Sequence, residues 1–152
     1  MPAASPRASV SPARLGSALR LTVARLARRV RQEGMSASGD VSVSRLAALT
    51  TMEALGPITL GELAAIEQVQ PPSMTRIVAR LEQAGLAERE IDAKDRRIVR
   101  VRATDAGRRL LAESRTRRDA FLAKRVARLS DDERELLARA ISVLDKLLED
   151  DA

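Results

Sequence analysis

The spacing of apolar residues changes from helical to alternating at Gly85, and this change constrains the fold more than any other feature of the chain. Upstream, Thr59-Leu-Gly-Glu62 reads as a capping box, in which the Thr59 hydroxyl and the Glu62 carboxylate each serve the other's backbone amide. It predicts a short helix to about Ile66. Glu67 to Gln70 reads as a turn. Pro71-Pro72 then opens a second helix, because the first helical turn needs no backbone donors. That helix runs from about Pro72 to Gln83 and stops at Gly85. Beyond it, Leu86 to Ile91 and Ile98 to Ala103 read as short strands, with Val99 and Val101 alternating against Arg100 and Arg102. Helix, tight turn, helix and hairpin in direct succession predict a winged helix-turn-helix.

The flanks predict helices. Leu15, Leu19, Val23, Leu26 and Val30 form one stripe on a helix from about Ala13 to Gln32. The stretch from Gly34 to Asp40 reads as a loop. A helix from about Ser44 to Leu55 buries Leu46, Leu49 and Met52, with Leu55 or Ala48. Gly56-Pro57 stops it, since Gly tolerates a left-handed cap and Pro cannot continue the hydrogen-bond ladder. Thr104 caps a long helix to about Leu129, with Leu110, Leu111, Ser114, Phe121, Leu122 and Val126 along one side. Ser130-Asp-Asp-Glu133 is a second capping box, opening a helix with a stripe of Leu136, Leu137, Ala140, Ile141, Leu144, Leu147 and Leu148. The expected fold is mainly α with a small β-hairpin wing. Its parts are a disordered tail over 1–12, a dimerisation helix over 13–34, a winged helix-turn-helix lobe over 42–103 and C-terminal dimerisation helices over 104–150.

Composition removes several function classes. The chain has no cysteine and no histidine. Disulfides, thiol sensing, the usual zinc sets and Ser-His or Cys-His nucleophile pairs are therefore absent. No motif supports carboxylate-only catalysis, so neither an enzyme nor a cofactor is expected. No apolar run approaches the roughly 20 residues of a membrane span, and the Pro, Ala and Ser-rich start lacks the apolar core of a signal peptide. A cytoplasmic protein is expected. The net charge is +6, and of 27 basic residues only Lys94, Lys124 and Lys146 are lysine. Arginine makes bidentate contacts to phosphate and guanine, which suits DNA. A GC-rich genome would also raise the arginine count, so position must decide.

Position favours DNA. In the helix 72–83, Met74, Ile77, Val78 and Leu81 recur at helical spacing and should face inward. Gln70, Ser73, Thr75, Arg76, Arg80 and Gln83 lie on other faces. Ser73, Thr75 and Arg76 fall near its start, where an inserted helix meets base edges. Taken alone, this could be an ordinary amphipathic helix with a solvated face. The hairpin tip, Asp92 to Arg97, places Lys94, Arg96 and Arg97 beside Asp92 and Asp95. Such a tip can reach a minor groove, whose negative potential draws arginine inward. Asp95 can hold an arginine extended beforehand, lowering the ordering cost of binding. A solvated turn with weak ion pairs is the plainer alternative for the tip alone.

The stretch from Leu46 to Leu111 resembles the DNA-binding core of the MarR (multiple antibiotic resistance regulator) family. The resemblance is carried by Leu60-Gly-Glu-Leu-Ala64, by the run from Pro72 to Glu82, and by Gly85-Leu86, Asp95-Arg-Arg97 and Thr104-Asp-Ala-Gly107. The flanking helices match the family plan. The resemblance implies a sequence-specific regulator that binds double-stranded DNA, a repressor released by a small ligand. Ser73, Thr75 and Arg76 match DNA-contacting positions of the recognition helix. Arg97 matches the wing arginine that enters the minor groove, and Asp95 its bracing carboxylate. Pro71 is a less common neighbour for this run and bears on the contact at Gln70.

The three flanking helices carry more apolar surface than a small DNA-binding lobe can cover, which favours a homodimer over three helices folded on one another. Two recognition helices about 34–36 Å apart would read a palindromic operator. From Lys94 to Arg118, ten basic residues stand against Asp95, Asp105 and Glu113, whereas eight acidic residues lie between Ser130 and Ala152. The basic end can face DNA and the acidic end point away. The resemblance implies a lipophilic or aromatic-acid effector between the dimer helices and the DNA-binding lobe. Arg20, Arg25 or Arg45 could pair its carboxylate, although solvated arginines are the plainer reading. The alternative function is a helical protein-interaction module that uses its winged helix without DNA.

Overall fold

A computed structural model describes residues 11–35, 41–92 and 94–149. Positions 1–10 of the expected tail and 36–40 of the expected loop lie outside these, as does Ala93 in the wing. The elements in order are α1 (Pro12–Met35), α2 (Val43–Leu55), β1 (Ile58–Thr59), α3 (Leu60–Ile66), α4 (Pro71–Gln83), β2 (Ala87–Ile91), β3 (Val99–Ala103), α5 (Asp105–Val126) and α6 (Asp131–Glu149). The mainly helical architecture with a small wing is therefore present.

Local chemistry accounts for most boundaries. The Thr59 box is complete: Glu62 N–H donates to Thr59 Oγ1 at 3.2 Å, and Thr59 N–H donates to Glu62 Oε2 at 2.9 Å. The Ser130 box repeats this pattern, with Glu133 N–H donating to Ser130 Oγ at 3.2 Å and Ser130 N–H to Glu133 Oε2 at 2.9 Å. Thr104 caps α5 by accepting from Gly107 N–H at 3.1 Å and ties it to the wing by donating to the Gly85 carbonyl at 2.7 Å. Pro71 and Pro72 open α4. Gly56 takes φ 73°, a value that favours glycine, but with ψ −153° it is not the left-handed helical cap the sequence suggests.

Several boundaries are corrected by longer-range contacts. α1 begins at Pro12 and continues through Gly34, which is helical and buried rather than the start of a loop. A Cβ at Gly34 would meet Ser114 Oγ at 3.0 Å and the Arg118 side chain at 3.1 Å, so α5 packs directly on the helix backbone. Ser114 Oγ donates to the Gly34 carbonyl at 3.3 Å. This contact offsets the intrinsic cost of glycine in a helix. α2 starts at Val43, and its buried residues are Ala48, Leu49 and Met52; Leu55 is 58% exposed. β2 and β3 each begin one residue later than expected. Leu86 N–H is taken by Leu81, and Ile98 N–H closes the tip turn on the Asp95 carbonyl. α5 ends at Val126, beyond which Arg128 and Leu129 make three-residue turns to Arg125 and Val126.

The strand β1 is not expected from the sequence. It extends the hairpin into a three-stranded antiparallel sheet of order β1-β3-β2, with Ile58 opposite Val101 and Thr59 opposite Arg100. β2 and β3 pair from Ala87 with Ala103 to Ile91 with Val99. One apolar cluster joins α2, α3, α4, the sheet and the start of α5, with Leu49, Met52, Leu63, Met74, Val78, Leu81, Val101 and Leu111 almost completely buried. Truncating such a leucine to alanine typically costs about 2–5 kcal/mol. The apolar stripes of α1 and α6 lie outside this core. Leu15, Val23 and Leu26 are about half exposed, and α6 has no buried residue.

Candidate nucleic-acid interface

The helix-turn-helix is held from below and open above. Met74, Val78 and Leu81 of α4 are buried and Ile77 is half-buried, so the inward face expected from the sequence is observed. The turn between α3 and α4 passes through Gln68 at φ 52°, and Val69 N–H donates to the Ala64 carbonyl at 3.0 Å. Thr51 Oγ1 of α2 donates to Glu67 Oε1 at 2.5 Å, which ties the turn to the helix behind it. That contact spans 16 residues and leaves no periodic trace in the sequence.

On the outer face, Gln70, Ser73, Thr75, Arg76 and Arg80 are all exposed. Gln70 occupies the position before α4 with extended backbone, and its side chain makes no capping bond. Ser73 and Arg76 stand one turn apart at the same end. Thr75 Oγ1 donates back to the Pro71 carbonyl at 3.0 Å, which keeps its hydroxyl oxygen able to accept. Arg80 donates to Gln83 Oε1 at 3.3 Å further along the helix.

The wing tip is built around two carboxylates. Asp92 Oδ1 accepts from the backbone N–H of Lys94 at 2.8 Å and of Asp95 at 3.1 Å. Its Oδ2 accepts from Arg100 Nε at 2.6 Å. Arg100 first, then these two amides, hold the Asp92 carboxyl down to about 2. Arg100 also reaches Glu62 at 3.7 Å, linking the wing to α3. Arg100 and this link leave no trace in the sequence beyond the alternation of β3.

Asp95 grips Arg97 through both oxygens, with Oδ1 accepting from Nε at 3.1 Å and Oδ2 from Nη2 at 3.1 Å. Oδ1 also accepts from the Arg97 backbone N–H at 3.0 Å. The side-chain bonds from Arg97, then its backbone amide, lower the Asp95 pKa. The Arg97 side chain is 91% exposed despite this grip, so it is aimed at solvent in a braced pose. Lys94 and Arg96 are exposed beside it. The wing therefore presents cations from a carboxylate-ordered tip. No group of acidic residues able to hold a metal ion occurs among the described residues. No helix among them is long and apolar enough to cross a membrane.

Residues 41–99 match the model of the MarR family. An uncharacterised HTH-type transcriptional regulator of Mycobacterium leprae is 39% identical over 140 residues, covering 92% of this chain and 96% of that protein. A Thermotoga maritima transcriptional regulator of known structure superimposes with a TM-score of 0.77 at 23% identity, over 88% of this chain and 95% of that one. A Staphylococcus aureus MepR mutant bound to an oligodeoxyribonucleotide gives a TM-score of 0.70 at 20% identity, over 88% of this chain and 97% of that one.

Proposed function

The chain belongs to the MarR family of HTH-type transcriptional regulators, and we propose that it acts as a cytoplasmic homodimer that represses transcription from a palindromic operator. In this reading α4 lies in the major groove, with Gln70, Ser73, Thr75, Arg76 and Arg80 toward bases and phosphates. The wing residues Lys94, Arg96 and Arg97 meet the adjacent minor groove, with Asp95 bracing Arg97. The winged lobe over 42–103 reads DNA, while the helices over 13–34 and 104–150 pair two copies. Support for the pairing is the apolar surface that one chain leaves in contact with water on α1 and α6. A homodimer would bury it and set two recognition helices about one turn of duplex apart.

The observation that carries the proposal is the pairing of an exposed polar face on α4, anchored by buried Met74, Val78 and Leu81, with a wing arginine held outward by Asp95. A small lipophilic or aromatic-acid effector would release DNA only through stronger binding to a conformer whose recognition helices are misaligned. Footprinting on the protein's own promoter, joined to gel shifts across salt concentrations, tests the core of this reading. A symmetric protected site and a steep loss of binding with salt are expected. The absence of any shift at low salt would instead favour a protein-interaction module.

A further inference from the structure

α5 changes partner partway along its length. Leu111 belongs to the apolar cluster shared with α2, α3, α4 and the sheet, and Leu110 packs against that cluster. One turn further, Ser114 is buried and bonded to the Gly34 carbonyl of α1. Arg115 stands at this crossing and turns back to the winged lobe. Its Nη1 donates to Glu53 Oε2 of α2 at 2.8 Å, and its Nη2 donates to Glu53 Oε1 at 3.1 Å. A planar fork on a carboxylate fixes direction as well as distance. The Arg115 and Glu53 side chains are 51% and 22% exposed, so the pair adds little to stability. Its geometry serves another purpose. Thr104 ties the start of α5 to the Gly85 carbonyl, and Arg115 meets the same lobe about 16 Å further along the helix axis. Attachments so far apart set the angle between the lobe and α5, where a single one would act as a pivot.

α2 carries that angle to the DNA-facing helix. Its Ala48, Leu49 and Met52 are buried in one cluster with Met74, Val78 and Leu81 of α4. Thr51 donates to Glu67 in the turn that leads into α4. Thr51 and Glu53 are two positions apart, about 200° around the helix, so they leave α2 from nearly opposite faces. One holds the approach to α4 and the other holds α5. We infer that Arg115 and Glu53 are positioning residues for operator recognition: their ion pair fixes the angle of the winged lobe on α5, and with it the separation of the two α4 helices. The inference rests on the reading of the chain as a DNA-binding homodimer. Neither residue touches DNA. Their effect is confined to sites that need both lobes in register.

The chain has no cysteine, so Ala84→Cys places one spin label per chain on the exposed residue that follows α4. Pulsed dipolar spectroscopy then reads the distance between the two labels of a dimer. In Glu53→Ala and in Arg115→Ala that distribution should broaden or shift. Affinity for the site protected on the protein's own promoter should fall by about 2- to 30-fold, the range of coupling carried through contiguous contacts. Affinity for a duplex of about one helical turn, which engages a single lobe, should stay parental, as should the melting temperature. Exchanging the charges, Glu53→Arg with Arg115→Glu, should restore both the distribution and the promoter affinity. A parental distribution in both single variants overturns the inference while leaving the homodimer intact, and equal losses on the two duplexes also overturn it. If a single variant loses stability, the charge exchange decides, and a stably folded exchange protein with a broadened distribution overturns the inference. A parent whose labels show no intermolecular distance removes the homodimer reading and this inference together.

Discussion

Gly107 of α5 lies so close to Leu86 that a Cβ on it would sit 2.2 Å from the Leu86 carbonyl oxygen. The same carbonyl accepts from Thr104 N–H at 3.0 Å. The approach to the wing and the start of the long helix therefore share one backbone contact, which couples the hairpin to α5.

Gly107→Ala should break that coupling. The added methyl group also meets Leu49 Cδ1 at 3.1 Å, so it has nowhere to move. Overpacking of this kind typically costs about 1–3 kcal/mol. A lowered urea midpoint is expected, and an unchanged midpoint would contradict the contact.

Arg97→Ala should weaken DNA binding while leaving the melting temperature unchanged, since the side chain is exposed and, among the described residues, bonds to its neighbour Asp95. Asp95→Ala keeps the cation but removes its brace, so a smaller loss of affinity is expected. Gel shifts and thermal melts of both variants check this. A matching drop in melting temperature for Arg97→Ala would show that the residue supports the fold instead.

Arg76→Ala separates base reading from phosphate contact. A bidentate base contact would make discrimination between operator and random duplex fall by about 1–3 kcal/mol. Equal losses on both duplexes would assign Arg76 to the backbone.

The wing should keep its shape through mild acid. Asp92 has its folded pKa depressed to about 2 by Arg100 and two backbone amides. The stabilisation it brings is complete above the ordinary carboxylate pKa, near 3.9, and is lost as pH falls through about 2. A carboxyl-detected NMR titration should place Asp92 well below the ordinary aspartates. In Arg100→Gln its midpoint should move upward, and an unmoved midpoint would reject Arg100 as the main cause.

Leu137→Asp with Ile141→Asp should yield monomers. Both residues are exposed in one chain, so a single folded lobe loses little, whereas a paired helix face would bury two carboxylates. Sedimentation should show the smaller species, and high-affinity operator binding should disappear with it. A variant that still sediments as a dimer would remove α6 from the interface.

Much of this molecule was legible residue by residue. The boxes at Thr59 and Ser130, the cap at Thr104 and the proline start of α4 are contacts within four residues, so the sequence contains both partners side by side. The inward residues of α4 follow from helical period alone. That Asp95 can brace an arginine was legible in the same way, while the choice of Arg97 came from the family resemblance.

What only the tertiary structure decided has its partners far apart in the chain. β1 is two residues long, too short to show a period, and exists because Val101 and Arg100 of β3 pair with it. α1 runs through Gly34 because Ser114, 80 residues away, packs on its backbone. Arg115 holds Glu53 across 62 residues with bonds of 2.8 and 3.1 Å, fastening α5 to α2. Local hydrogen bonding and periodicity are written into neighbouring residues. Close approach and long-range ion pairing arise only when distant segments are packed against a common core.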